Sequence, residues 1–237
     1  MSKILKTKLQ ELNISINDRQ EEQFEQFYDL LIEWNKVMNL TGITEYEEVV
    51  EKHFVDSLSL VKAIEIDKIH SVIDIGTGAG FPGIPLKIAF PHLNITLLDS
   101  LNKRIRFLDT VIERTGLKDI RTIHGRAEDY AKQKEYREMY DLCVSRAVAN
   151  LATLSEYCIP YIRIGGIFIS YKSGDVENEK EDSRNAAALL GGRIKDTVKF
   201  QLPGTDIGRS FVIIEKERQT AKRYPRKAGL PSKEPLK

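Results

Sequence analysis

Four glycines fall within the ten residues Asp74-Ile75-Gly76-Thr77-Gly78-Ala79-Gly80-Phe81-Pro82-Gly83, directly behind the apolar run Ser71-Val72-Ile73-Asp74-Ile75. An apolar run that breaks into glycines reads as a strand turning sharply into a helix. Glycine serves there because the backbone enters conformations closed to other residues and because a ligand must approach it closely. Such a loop stands at the C-terminal end of a sheet, where open α/β folds bind ligands.

Two cofactor chemistries compete for this loop. Gly78-Ala79-Gly80-Phe81-Pro82-Gly83 is a formal GxGxxG match, the fingerprint of a dinucleotide oxidoreductase. Three details favour a cationic methyl donor, S-adenosyl-L-methionine. The glycines begin at Gly76, whereas a dinucleotide fingerprint would place its first glycine there and not two residues on. Asp74 lies where a carboxylate holds the amino group of a methionine moiety and would repel a pyrophosphate. Pro82 opens the next segment and withholds an amide that a phosphate would want.

Asp99 closes a second apolar run, Ile95 to Leu98, and a carboxylate there accepts from ribose hydroxyls, which both cofactors carry. Gly125-Arg126-Ala127-Glu128-Asp129 follows a third run. Its acidic side chain and amides suit an adenine's amine and ring nitrogen, with a helix cap as the alternative. The readings weighed are thus a methyltransferase, an NAD-dependent oxidoreductase of Rossmann type, and a non-catalytic nucleotide-binding module.

The elements that must position these residues follow from periodicity. Phe24, Phe27, Leu31, Trp34 and Met38 recur at three- and four-residue steps, predicting an amphipathic helix from Gln20 to Met38. A second helix is predicted from about Glu47 to Ile64 on Val50, Phe54, Leu58 and Val61, with the turn and cap residues Asn39-Leu40-Thr41-Gly42 between them. Strands are predicted at Ser71 to Ile75, Asn94 to Asp99, Ile120 to His124, Leu142 to Ser145, Gly166 to Tyr171, Ile194 to Phe200 and Ser210 to Glu215. Helices fill most of the gaps, such as Lys103 to Thr115 closed by Gly116, and Asn178 to Leu190 closed by Gly191. The alternation implies an α/β fold with a doubly wound, mostly parallel sheet of seven strands, its last two joined through Leu202-Pro203-Gly204 as an antiparallel edge. The expected division is a helical subdomain over 1–65, the cofactor-binding domain over 66–216 and a basic tail over 217–237.

A hydrophobic content of 41% in 237 residues suffices for a large core without staples. Cys143 and Cys158 form no CxxC pair, and the pattern suggests neither a disulfide framework nor a metal site. The first residues show no apolar stretch behind their charges, so a non-exported cytoplasmic protein without membrane spans is expected. Net charge is only +1, yet residues 1–65 carry seven Lys/Arg against thirteen Asp/Glu, while residues 216–237 carry eight against two. The basic tail is either solvated surface or an arm for nucleic acid, and Tyr224 to Lys233 is too rich in Pro, Gly and charge for core.

Beyond the loop, the chain resembles the bacterial RsmG (formerly GidB) family, which methylates N7 of a guanosine in 16S ribosomal RNA. The resemblance rests on Trp34-Asn35-Lys36-Val37-Met38-Asn39-Leu40-Thr41, on Lys52-His53-Phe54-Val55-Asp56-Ser57-Leu58, on the glycine loop, and on Gly125-Arg126-Ala127-Glu128. Ser145-Arg146-Ala147 and Pro225-Arg226-Lys227-Ala228-Gly229 complete it. It implies a Rossmann-like class I methyltransferase sheet. It also implies donor contacts at Gly76, Phe81, Ala127, Glu128 and Arg146 and at the corner Asp99, Ser100 and Leu101, beside Asp74 and Gly78 from the loop reading. Phe81 packs on the donor or plugs the core.

Guanine N7 carries an in-plane lone pair and no proton, so methyl transfer to it needs positioning and no general base. Arg146, Asn39 and Lys172 are the expected positioning residues. His53 and Asp56, three apart on one helical face, suit structure or RNA positioning better than proton transfer. RNA contacts are expected at His53, Arg146, Lys172, Arg209, Arg223, Arg226 and Lys227. The expected partner is 16S ribosomal RNA or an assembling 30S subunit, met by a monomer.

Overall fold

The computed structural model describes residues 2–146, 149–174 and 176–236. Two helices open the chain: α1 (Ser2–Gln10) and α2 (Asp18–Met38). A capping box starts α2, in which the Asn17 side chain accepts from the Gln20 amide and the Gln20 side chain accepts from the Asn17 amide. Asn39 ends it in the left-handed region at φ 49°.

The next helical stretch differs from the even helix that its periodicity predicts. It runs as α3 (Tyr46–Val49), a π-helical turn (Val50–Val55), α4 (Asp56–Leu58) and a tight 3₁₀ turn ending at Lys62. The widened turn carries Lys52 and His53, and π turns of this kind are frequent at functional sites. Phe24 and Phe27 of α2 pack on Phe54 at 5.0 and 5.7 Å, and Phe27 meets Phe81 at 5.2 Å. The first helices thus share one apolar core with a face of the sheet.

Then strand and helix alternate: β1 (Ser71–Ile75), α5 (Gly83–Ala89), β2 (Asn94–Asp99), α6 (Asn102–Thr115), β3 (Ile120–His124), α7 (Ala127–Tyr130) and β4 (Tyr140–Arg146). They continue with α8 (Leu151–Cys158), β5 (Ile162–Ser173), α9 (Glu177–Leu189), β6 (Gly192–Gln201), β7 (Gly208–Lys216) and α10 (Leu230–Lys233). The sheet order is β3-β2-β1-β4-β5-β7-β6. The first five strands are parallel, and β7 inserts antiparallel between β5 and β6. That is the doubly wound, mostly parallel sheet with an antiparallel edge that the alternation implied. Strand order reverses between β1 and β4, which opens a crevice at their C-terminal ends. Both cysteines are buried and free. No helix among the described residues is long and apolar enough to cross a membrane.

The C-terminal segment corrects one expectation. Its composition suggested an arm outside the core, but Tyr224 is 7% exposed and Pro231 is buried. Arg137 donates to the carbonyls of Thr220, Ala221 and Tyr224, holding the segment on the sheet domain.

Candidate active site

A cavity of about 550 Å³ opens at the C-terminal ends of β1 to β4, a size suited to a nucleoside cofactor. The glycine loop forms its floor. Gly78 has φ +61°, and a Cβ built there meets nothing nearer than the Gly76 carbonyl at 3.9 Å. That bare backbone lines the cavity, so a side chain at Gly78 would enter the space a ligand needs. Gly83 has the opposite reason: a Cβ there would sit 2.2 Å from Leu97, because α5 presses against β2.

Asp74 corrects the reading of its carboxylate. It is fully buried and does not line the cavity. Its Oδ2 accepts from Thr77 Oγ1 at 2.8 Å and from the Gly83 amide at 2.9 Å, so the side chain braces the loop from beneath. The alternation of β1 directs it away from the cavity, to the face where the loop's turn needs an acceptor. Oδ1 is buried without a protein partner, and burial pushes the carboxyl up to about 7 against the pull of those hydrogen bonds and of Arg146.

Asp99 lies at the cavity wall, 2% exposed. Oδ2 accepts from the Gly78 amide at 2.9 Å and from Arg104 at 3.2 Å, and Oδ1 accepts from the Leu101 amide at 2.9 Å. One carboxylate therefore ties the loop to the end of β2. Ser100 lines the cavity, whereas Leu101 precedes α6 with 42% exposure and does not. Ala127 and Glu128 also line it, in the first turn of α7. Glu128 Oε1 accepts from the amide of Gly229, about a hundred residues further on.

The roof comes from the N-terminal helices. Thr41 Oγ1 and His53 Nε2 are 2.8 Å apart, and the His53 ring stacks on Phe81 at 4.5 Å. Arg146, from the end of β4, donates to the Lys52 carbonyl at 3.1 Å and to Asp56 Oδ2 at 2.9 Å, with its guanidinium 5.0 Å over the Phe81 ring. Arg209 donates to the other Asp56 oxygen at 3.0 Å. Burial, reinforced by the Arg146 cation, pulls His53 down to about 4 and keeps it neutral. His53 and Asp56 thus form no acid-base couple; both meet Arg146. Phe81 plugs the aromatic core and also lines the cavity.

Four expected positions lie elsewhere. Asn39 is exposed and terminates α2, while its neighbours Leu40 and Thr41 reach the cavity. Lys172 is not a free phosphate contact: its Nζ donates to the Ala149 carbonyl and to Glu179 at 2.7 Å, with the side chain 13% exposed. Arg209 is committed to Asp56, and Arg226 to the fully buried Glu156. Each is drawn inward because a buried carboxylate needs a partner. Arg223 and Lys227 remain exposed. Ala147, the last residue of Ser145-Arg146-Ala147, lies outside the described residues.

The cavity also uses residues that sequence reading missed: Thr41, Arg104, Tyr157 and Ser232. The signal for Thr41 was available in the capping run after Met38. Nothing local marks Ser232, which reaches the cavity only because the tail folds back.

A family model described as rRNA small subunit methyltransferase G matches residues 20–207. The chain belongs to that family. It is 55% identical to the ribosomal RNA small subunit methyltransferase G of Lachnoclostridium phytofermentans over 96% of this chain and 94% of that one. It is 50% identical to the Alkaliphilus metalliredigens protein of the same name, over 99% and 98%. Among solved structures it is similar to the StiE O-MT domain, with a TM-score of 0.54 and 18% identity over 69% of this chain and 73% of that one. The S-adenosylmethionine-dependent methyltransferase SibL is similar at a TM-score of 0.50 and 17% identity, over 65% and 52%. These likenesses give the class I methyltransferase fold. The protein is an S-adenosyl-L-methionine-dependent methyltransferase, and the oxidoreductase and binding-module readings fall away.

Proposed function

We propose that the protein methylates N7 of a guanosine in 16S ribosomal RNA, and that the cavity beneath the Thr41, His53 and Arg146 roof is where donor and base meet. One observation carries this reading: four strand ends converge on a cavity of cofactor size that residues of the N-terminal motifs, Leu40, Thr41 and His53, also line. Bound S-adenosyl-L-methionine supplies an electrophilic methyl group on a sulfonium. The bare backbone at Gly76 and Gly78 would admit the donor closely, Asp99 would hold its ribose, and Ala127 and Glu128 would hold its adenine.

The protein's task is then orientation and exclusion of water. N7 offers a lone pair without a proton, so no side chain needs to remove one. His53, held neutral, and Arg146, held by Asp56 over Phe81, shape the entrance through which a splayed guanine comes. The exposed Arg223 and Lys227 would meet phosphates. With net charge only +1 and several arginines engaged internally, shape must supplement charge, which favours a partly assembled 30S subunit in the cytoplasm over naked RNA, met by a monomer. The test is to map N7-methylguanosine in ribosomal RNA from cells with and without the gene. A single site lost with the gene and restored by the purified enzyme and labelled donor supports the reading. An unchanged pattern overturns it.

A further inference from the structure

The C-terminal segment is fastened more elaborately than a solvent-facing arm requires, and its fastenings lead to the cofactor cavity. Arg226 sets its guanidinium against both oxygens of Glu156, with Nε and NH2 contacts of 2.7 to 3.0 Å, and its own amide donates to the same carboxylate at 2.7 Å. Glu156 is 0% exposed on α8. Such a buried bidentate pair is a rigid anchor. Upstream, Lys216 and Arg137 hold Thr220 and the carbonyls around it. Downstream, Thr153 Oγ1 donates to the Pro231 carbonyl at 3.1 Å.

Between these anchors the Gly229 amide is delivered to Glu128 Oε1 at 2.8 Å. Ser232, hydrogen-bonded to the Gly229 carbonyl at 3.0 Å, becomes part of the cavity wall together with Tyr157. The partner of Glu128 is a neutral amide, not a cation. That amide fixes one oxygen, and the second oxygen of the carboxyl is the acceptor that a neutral amine requires.

We propose that the segment 217–236 is a positioning strap for donor recognition: Arg226, clamped on Glu156, holds the Gly229 amide against one oxygen of Glu128, which aims the other at the exocyclic amine of the donor's adenine. The strap acts through Glu128, so Arg226 and Gly229 are positioning residues. The proposal rests on the cavity being the donor site, with Glu128 at its adenine end.

The test compares S-adenosylhomocysteine with S-inosylhomocysteine, in which an oxo group replaces the amine, by calorimetry on the full-length protein. The parent should prefer the adenosyl compound by about tenfold or more, since the oxo group sets acceptor against acceptor. Glu128→Gln should bring that ratio close to one. Arg226→Ala should do the same although residue 226 lies outside the cavity wall, and Arg226→Lys should restore part of it. A ratio is chosen because general loosening weakens both ligands alike. If Arg226→Ala unfolds, Glu156→Gln and a chain ending at Ala228 are measured instead, with collapse of the ratio supporting the strap and retention overturning it. Parental selectivity in a folded Arg226→Ala protein, with loss in Glu128→Gln, overturns the strap and leaves the donor site standing. Parental affinity and selectivity in Glu128→Gln removes the donor-site reading and the proposal with it.

Discussion

Arg146 donates to Asp56 at 2.9 Å, joining the end of β4 to the helical roof across 90 residues of chain. The opposite Asp56 oxygen takes Arg209 at 3.0 Å, so one carboxylate bridges two guanidiniums whose side chains are 14% and 20% exposed. Removing one partner of a buried pair leaves charge without compensation. Asp56→Ala should therefore lower the unfolding free energy by about 3 kcal/mol in urea titrations. Methyl transfer should fall more than donor affinity does, because the disturbed side of the cavity is its roof. A loss within 1 kcal/mol, roughly that of an exposed pair, would show that Asp56 does not organise the roof.

Gly78→Val tests the floor. The new side chain enters open space, so no packing is disturbed, while the left-handed backbone adds strain of roughly 1–2 kcal/mol. The variant should fold and yet show no heat of binding with S-adenosylhomocysteine. Unchanged affinity in a folded variant would place the donor elsewhere.

Asp74 makes stability depend on pH. Its folded carboxyl titrates near 7, against about 3.9 in an unfolded chain. Between those values the native state holds the extra proton, so this contribution to stability is present at about pH 4 and is lost as pH rises through 7. Asp74→Asn keeps an acceptor for Thr77 and Gly83 and cannot ionise. Denaturant titrations at pH 5 and 8 should show the parent losing stability on this account and the variant keeping it, by an order of a few kcal/mol.

His53 acts with the opposite sign. Its folded value near 4 lies below the unfolded value of about 6.5, so the unfolded chain takes up the proton first and stability falls as pH drops through that window. Between about pH 4 and 6.5 the two slopes oppose each other, and the single variants separate them. In His53→Gln the acid-side loss should shrink while the alkaline behaviour set by Asp74 stays. An identical acid profile would mean that His53 is protonated in the native state.

Exposed and engaged cations of the tail should behave differently toward RNA. Arg223→Ala and Lys227→Ala each remove a solvent-facing charge. Each should weaken RNA binding uniformly and reduce the slope of log K against log salt by about 0.7 to 0.9, without altering the donor's affinity. Lys172→Ala should leave that slope alone, since its ammonium is already paired with Glu179. A changed slope for Lys172→Ala would indicate that the pair opens on RNA.

Much of this protein is written locally. Strand positions, the amphipathic α2, the glycine turn and the carboxylate ending β2 follow from period and residue type, because backbone conformation and burial repeat over a few residues. Periodicity also located the helical stretch around Phe54, but not its π turn, since the apolar spacing is satisfied by either geometry. What each polar side chain does was a different question. Asp74 reads as a ligand for a cation until the loop folds over it and supplies the Thr77 hydroxyl and the Gly83 amide. Lys172 and Arg226 read as free cations until α9 and α8 bring Glu179 and Glu156 against them.

The chain by itself thus determined the sheet, its glycine loop and the family. Only the tertiary structure decided which charges are available, because a buried carboxylate captures whichever cation or amide folding brings to it, and that partner lies 70 residues away for Glu156, 90 for Asp56 and 101 for Glu128.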